Sequence, residues 1–338
     1  MKKLSLALTG LLVAATAPSA SAQKINACGA TFPDPIYKKW FGEFGKSHAG
    51  VQINYEANGS GGGVKGVTDG TVDFGASDMP MTDQELAAVK SGKILHFPTV
   101  LGAVVPVYNL PGVTGDLKFS GPVLADIFLG TIAKWNDKRL VAENPGVKLP
   151  NEDIVVVHRT DGSGTTFVWT DFLAKVSPEW KAKVGAAKSV QWPKGLGGAQ
   201  SAGVTGLVKQ NPNSIGYVEL LYALQNKMGY GSVKNSAGTF VKADVASVTE
   251  AAAGAASNMP DDFRVSITNS PGKNAYPIST FTWLLIPSKF SDPAKAKQVK
   301  ALLQWVLTDG QKDTTPLSYA PLPKAVVTKE QKLIASIQ

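Results

Sequence analysis

The sequence predicts an α/β protein, on three observations. Apolar, β-branched runs alternate with segments of helical spacing along the whole chain, the signature of strands packed against helices. Several strand-to-helix turns are loops of small residues. At 338 residues the chain exceeds what one hydrophobic core ordinarily serves, so two domains are expected. The composition is globular, 43% hydrophobic and 18% charged, and no solenoid repeat is present.

In order, the first 22 residues read as a secretory leader. Lys2 and Lys3 form its charged region, Leu4 to Ala17 its apolar core, and Ala20-Ser21-Ala22 an A-x-A cleavage site. The mature chain is expected to begin at Gln23 and to be exported and soluble. Lys24 to Ala27 is a short strand. Asp34 reads as the N-cap, and Pro35 as the first residue, of a helix to about Gly45 with Ile36, Tyr37, Trp40, Phe41 and Phe44 on one face. Val51, Ile53 and Tyr55 alternate as in a strand reaching Ala57. Asn58-Gly59-Ser60-Gly61-Gly62-Gly63 then opens a short helix. Thr71 to Ala76 is the next strand, and Thr82 to Glu85 has capping-box spacing.

Phe97 to Tyr108 and Ile278 to Ile286 are long apolar extended segments. Between them lie a helix from Pro122 to Leu129, a strand from Asp153 to His158, and a helix carrying Phe172, Leu173 and Val176. A helix begun by Ser177-Pro178, a glycine loop at Gly195 to Gly198 and a strand at Ser214 to Val218 come next. An Ala-rich helix at Asp244 to Ala256 and a strand at Arg264 to Thr268 complete the interval. Asp292-Pro293 opens a helix with Val299, Leu302, Leu303, Val306 and Leu307 on one face, and Pro316, Pro321 and Pro323 break up the C-terminal segment.

The chain is organised around Arg159-Thr160-Asp161-Gly162-Ser163-Gly164-Thr165-Thr166, which joins a strand to a helix start. Its glycines bring backbone N–H groups close to a ligand, its hydroxyls donate, and Arg159 adds a planar cationic fork suited to phosphate or carboxylate. Such a helix start is an oxyanion site, although alone it fits an ordinary capped turn equally well. Recurrence favours the anion. Ala30-Thr31-Phe32-Pro33 and the loop at 58–63 also place hydroxyls at helix starts, and three such loops suggest convergence on one negative ligand.

Other chemistries find little support. Gly61 to Gly66 fits G-x-G-x-x-G formally, but the next strand begins too soon for a dinucleotide-binding unit. Ser163 lacks the first glycine of a nucleophile elbow, since Asp161 stands there. His48, His96 and His158 are isolated, and the single Cys28 precludes an internal disulfide and argues against zinc. Cys28 reads as a small buried residue rather than a lipid anchor. Net charge is +8; without Lys2 and Lys3 the balance is 32 basic to 26 acidic residues, or +6. The lysines are scattered, so nucleic acid is not indicated, while a positive surface draws in small anions. Asp78 ends a strand where α/β sites lie; on sequence alone it reads as a cap of the turn before Met79-Pro80.

Ala30-Thr31-Phe32-Pro33, Gly59-Ser60-Gly61-Gly62 and Val72-Asp73-Phe74-Gly75-Ala76-Ser77-Asp78 resemble motifs of the periplasmic phosphate-binding proteins (PstS) of ABC-type phosphate import. So do Arg159 to Thr165, Trp192-Pro193-Lys194-Gly195-Leu196-Gly197-Gly198 and Ile215-Gly216-Tyr217-Val218-Glu219. The resemblance covers essentially the whole mature chain. It implies a two-lobed periplasmic-binding-protein-like fold (type II), with the ligand in a cleft between lobes joined by two crossing segments. These fall near Leu101 to Val105 and Tyr276 to Phe281. Lobe I would be 23–101 plus 278–338, and lobe II 102–277. Phosphate contacts would fall on Thr31, Phe32 (through its backbone N–H), Ser60, Asp78, Arg159, Ser163, Gly164 and Thr165, with Asp161 pairing the arginine. Cys28 stands where a small residue is usual, and Gly61 where a second serine is common.

The resemblance further implies a monomeric periplasmic receptor without metal or cofactor, whose partners are inorganic phosphate and the permease subunits of the importer. Two other classes remain open at this point: a secreted phosphatase or phosphoesterase using the same loops, and a receptor for another oxyanion. Asp78 speaks against sulfate, which brings no proton near neutral pH.

Overall fold

The structure, a computed structural model, describes residues 23–90, 92–256 and 258–338. The expected leader lies outside them. β1 (Gln23–Gly29), α1 (Asp34–Ser47), β2 (Val51–Glu56), α2 (Ser60–Asp69), β3 (Phe74–Ser77) and α3 (Asp83–Ala87) lead into β4 (Ile94–Asn109). Then come β5 (Lys118–Phe119), α4 (Gly121–Leu129), α5 (Lys138–Glu143), β6 (Val155–Arg159), α6 (Gly164–Val176), α7 (Pro178–Lys183), β7 (Leu196–Gly198), α8 (Gln200–Gln210), β8 (Ser214–Glu219) and α9 (Leu220–Gln225). β9 (Gly229–Tyr230), β10 (Ser232–Lys234), β11 (Phe240–Val241) and α10 (Val245–Ala256) precede β12 (Ser279–Pro287), α11 (Pro293–Val306) and α12 (Lys324–Ile334).

The main sheet runs β2-β1-β3-β12-β4-β8-β6-β7. Its strands split into two sets that share one member. Residues 94–103 of β4 pair antiparallel with β12, and residues 104–109 pair antiparallel with β8. β1, β2 and β3 are mutually parallel on one side; β6 runs parallel to both β7 and β8 on the other. β4 is buried along nearly its whole length, as a strand sandwiched by other elements must be, and this explains its continuous apolar reading. A bulge between Thr282 and Trp283 lies in the pairing with β4 beside Pro98, which has no N–H to give to a ladder.

The capping box forms, Thr82 Oγ1 accepting from Glu85 N and Glu85 Oε2 accepting from Thr82 N. Cys28 is buried and free. Several expectations need correction. Pro33, not Asp34, stands at the N-cap of α1; Asp34 is the first helical residue, and its carboxylate reaches Lys38 at 2.7 Å. β3 begins at Phe74 rather than Thr71, because Asp73 turns its side chain to Asn26 N and Lys295 Nζ, each at 2.8 Å. Leu196–Gly198 is an edge strand beside Val157–Arg159, not a loop. Residues 264–268 form no strand: Arg264 is held by Asp262 and Asp83, and Lys175 binds Ser266 Oγ and the Thr268 carbonyl. The prolines do not break up the whole C-terminal segment: α12 forms beyond them, with Pro323 at its N-cap.

Candidate functional site

The C-terminal ends of β1, β3 and β6 point at one place, the usual position of a site in an open α/β sheet. Behind β6 an aromatic wall fixes the loop. Tyr217 stacks on Trp169 at 5.1 Å, and its hydroxyl accepts from Arg159 N at 3.2 Å and pairs with Thr166 Oγ1 at 2.7 Å.

From that loop comes a buried guanidinium. Arg159 Nε donates to Asp161 Oδ1 at 2.7 Å while Nη2 donates to Oδ2, a bidentate pair that holds the guanidinium plane still. Asp161 also accepts from Gln200 N at 2.9 Å. Burial pushes the Asp161 carboxyl up, but Arg159 and the backbone N–H groups more than offset this and leave it below the usual carboxylate range. The guanidinium edge away from Asp161 faces across the cleft, with Nη1 3.3 Å from Thr31 Oγ1.

Ser163 is the N-cap of α6, its Oγ accepting from Thr166 N at 3.0 Å, so its hydroxyl proton is still available to donate. Gly164 N donates to Ser60 Oγ at 3.0 Å, and Gly61 N donates to the Gly162 carbonyl at 2.7 Å, closing the cleft between the loops. Only glycine fits there: a Cβ on Gly164 would lie 2.5 Å from Ser60 Oγ and 2.6 Å from Asp78 Cβ. Thr165 is 1% exposed, and its Oγ1 finds no hydrogen-bond partner among the described residues. A buried hydroxyl without a partner costs about 1–3 kcal/mol, so its position calls for an explanation.

On the facing lobe, Ser60 starts α2 and its Oγ accepts from Asp78 N at 3.1 Å. Thr31 and Phe32 lie buried between β1 and α1. Asp78 is 1% exposed and does not cap the turn, which Ser77 Oγ holds by accepting from Met79 N. Its Oδ1 accepts from Thr282 Oγ1 at 2.8 Å, and Ser60 Oγ lies 3.5 Å from Oδ2. Burial drives the Asp78 carboxyl up to about 7, with Thr282, Arg159 and Ser60 opposing the rise.

The structure therefore brings Thr31, Phe32, Ser60, Asp78, Arg159, Asp161, Ser163, Gly164 and Thr165 together at the strand ends, where the two lobes meet. Here one guanidinium faces two carboxyl groups, so an anion would be held by N–H and O–H dipoles rather than by net charge. Ser201, Tyr222 and Thr282 also belong to this constellation, although no motif in the sequence marks them. The long apolar segment Ile278 to Ile286 is the available signal for Thr282; for the other two, nothing in the local pattern distinguishes them from ordinary helix residues.

The histidines stand apart. His96 is buried with Nε2 accepting from Met81 N at 3.0 Å, and burial lowers it to about 4. His158 stacks on Trp192 at 4.8 Å. Among the described residues, no helix is long and apolar enough to cross a membrane.

Residues 14–310 match the PBP superfamily domain. A protein of Xylella fastidiosa strain Temecula1 called phosphate-binding protein PstS is 44% identical over 325 residues, spanning 95% of this chain and 88% of its own. The Haemophilus influenzae phosphate-binding protein PstS is 45% identical over 320 residues, covering 94% of each chain. The crystal structure of a phosphate-binding protein from Stenotrophomonas maltophilia superimposes with a TM-score of 0.70 at 20% identity, over 92% of this chain and 94% of that one. With two lobes sharing β4, a site at the strand ends and this degree of identity, the chain belongs to the PstS family of phosphate-binding proteins, within the periplasmic-binding-protein-like fold.

Proposed function

We propose that this chain binds one inorganic phosphate in the periplasm, between its two lobes, and delivers it to the permease subunits of an ABC-type importer without chemistry on it. The ligand contacts are Thr31, the Phe32 backbone N–H, Ser60, Asp78, Arg159, Ser163, Gly164 and Thr165, with Asp161 holding Arg159. The observation that carries this reading is the buried Thr165 Oγ1, which has no partner among the described residues and stands in the Arg159 loop next to Gly164, whose N–H reaches Ser60 Oγ across the cleft. A tetrahedral oxyanion supplies the missing partner. The lobes are 23–101 plus 278–338, and 102–277; the change of partner along β4, at Ala103/Val104, falls two residues beyond the first of these boundaries.

Titration of the mature protein should give one phosphate per chain. Incubation with a phosphomonoester should release none; sustained release by protein free of contaminating phosphatase would refute a pure receptor. Closure is the second expectation. A ligand gripped by both lobes binds the closed form better and shifts the population toward it. Small-angle scattering should therefore show a smaller radius of gyration with phosphate, and an unchanged radius counts against ligand-driven closure.

A further inference from the structure

The Thr31–Phe32 loop is gripped from several directions. Ser201 Oγ, near the start of α8, lies 2.7 Å from Thr31 Oγ1 and 3.4 Å from Arg159 Nη1. Tyr222 Oη, on α9, donates to the Thr31 carbonyl at 2.8 Å. Tyr319 Oη, from the C-terminal segment, donates to the Phe32 carbonyl at 2.7 Å. The first two contacts cross the cleft, since α8 and α9 belong to the β8 side of the sheet and Thr31 lies just past β1. Tyr319 returns instead to the region whose Ala320 bridges Leu101 of β4.

The backbone supports this arrangement. Gln200 sits at φ 58°, a left-handed conformation that a side chain rarely adopts without a reason. That kink lets one short segment point Gln200 N at Asp161 and Ser201 Oγ at Thr31 and Arg159. The start of α8 thus braces both ends of the cross-cleft contact.

We propose that Ser201 and Tyr222 are positioning residues that latch the Thr31–Phe32 loop across the closed cleft, fixing the loop whose hydroxyl and N–H would receive the anion. The inference rests on the phosphate-receptor reading. Neither residue supplies the anion's charge partner; they hold the group that does the binding. Their bonds to Thr31 exist only when the lobes meet, so they slow opening and leave encounter with the open form unchanged.

The test is stopped-flow phosphate binding by wild type, Tyr222→Phe, Ser201→Ala, Ser201→Thr and the double variant Ser201→Ala/Tyr222→Phe. A single neutral hydrogen bond lost should speed phosphate release by about 3- to 10-fold, with the association rate constant within about twofold of wild type. The double variant should release faster than either single variant, and Ser201→Thr, which keeps the hydroxyl, should stay near wild type. Ligand-free melting temperatures should be unchanged, while the rise in Tm produced by phosphate shrinks. A variant that melts early without phosphate, yet releases it at the wild-type rate, marks a merely structural residue and overturns the latch. Equal release rates in wild type and the double variant overturn it too. Wild-type protein that takes no phosphate overturns the receptor reading and this inference with it, an outcome distinguished by appearing before any substitution.

Discussion

Asp78→Asn is expected to lose most of its discrimination against sulfate while keeping most of its affinity for phosphate. An ionised Asp78 only accepts hydrogen bonds, and with Thr282 on Oδ1 it has Oδ2 to offer a ligand. Both protonation states of phosphate present near neutral pH carry an O–H that meets it; sulfate carries none and sets two anions face to face. A site built around a ligand's hydrogen-bonding group rejects an analogue lacking it by on the order of 10⁴-fold. The asparagine amide removes the repulsion at nearly constant size and can donate to sulfate. The measurement is the ratio of sulfate to phosphate dissociation constants, and a ratio unmoved by the substitution would leave Asp78 no role in selectivity.

The pH dependence has a definite sign. With the carboxyl raised to about 7, Asp78 is protonated and able to donate below that pH, and ionised and repulsive above it. Discrimination in the wild type should climb as pH rises from 6 to 8, a dependence that Asp78→Asn lacks. The same shift bears on stability. A folded-state value above the ordinary 3.8 contributes stability that is full below 3.8 and is lost as pH rises through about 7. Phosphate-free wild type should therefore gain less from higher pH than Asp78→Asn does.

Arg159→Ala is expected to weaken phosphate and sulfate alike. Arg159 is 4% exposed, its guanidinium is held flat by Asp161, and it turns its other edge to the cleft. Truncating one partner of a buried, hydrogen-bonded charge pair costs about 2–5 kcal/mol, or roughly 30- to several-thousand-fold in Kd. Part of that loss is Asp161, left with Gln200 N and no counter-charge. Double substitution with Asp161→Asn should therefore recover some affinity. Arg159→Lys should fall between wild type and alanine, since an ammonium restores charge but not the paired donors. Parallel titrations with both anions check this; loss confined to phosphate would contradict it.

The sequence was most legible where function needs local chemistry. Asp161-Gly162-Ser163-Gly164 announces a tight helix start because glycine and a capping hydroxyl have few other uses at such spacing. The two long apolar segments, later β4 and β12, could be read because full burial removes alternation. Legibility failed where pairing or packing across the chain decides the outcome. Leu196–Gly198 has the composition of a loop and becomes a strand only because Val157–Arg159 offers an open edge. Arg264–Thr268 has an alternating pattern but no strand to join, so side chains bond the Arg264 and Thr268 N–H groups and the Thr268 carbonyl. Tyr222 and Ser201 lie roughly 170 to 190 residues after Thr31, and only the fold brings them to it.

The placement of β12 has a consequence for the order in which the chain can fold. It lies between β3 and β4, yet it is made some 200 residues after β3. Until it arrives, β3 and the first part of β4 present bare edges, the kind of surface that pairs with the wrong chain. The segment carrying β6, α6, β7, α8 and β8 needs only the second part of β4 and can assemble earlier. The lobe that begins the chain is thus the last to be completed, closed by the same strand whose Thr282 grips Asp78. A chain cut before Ser279 would lose both that lobe's central strand and the brace on its selectivity residue.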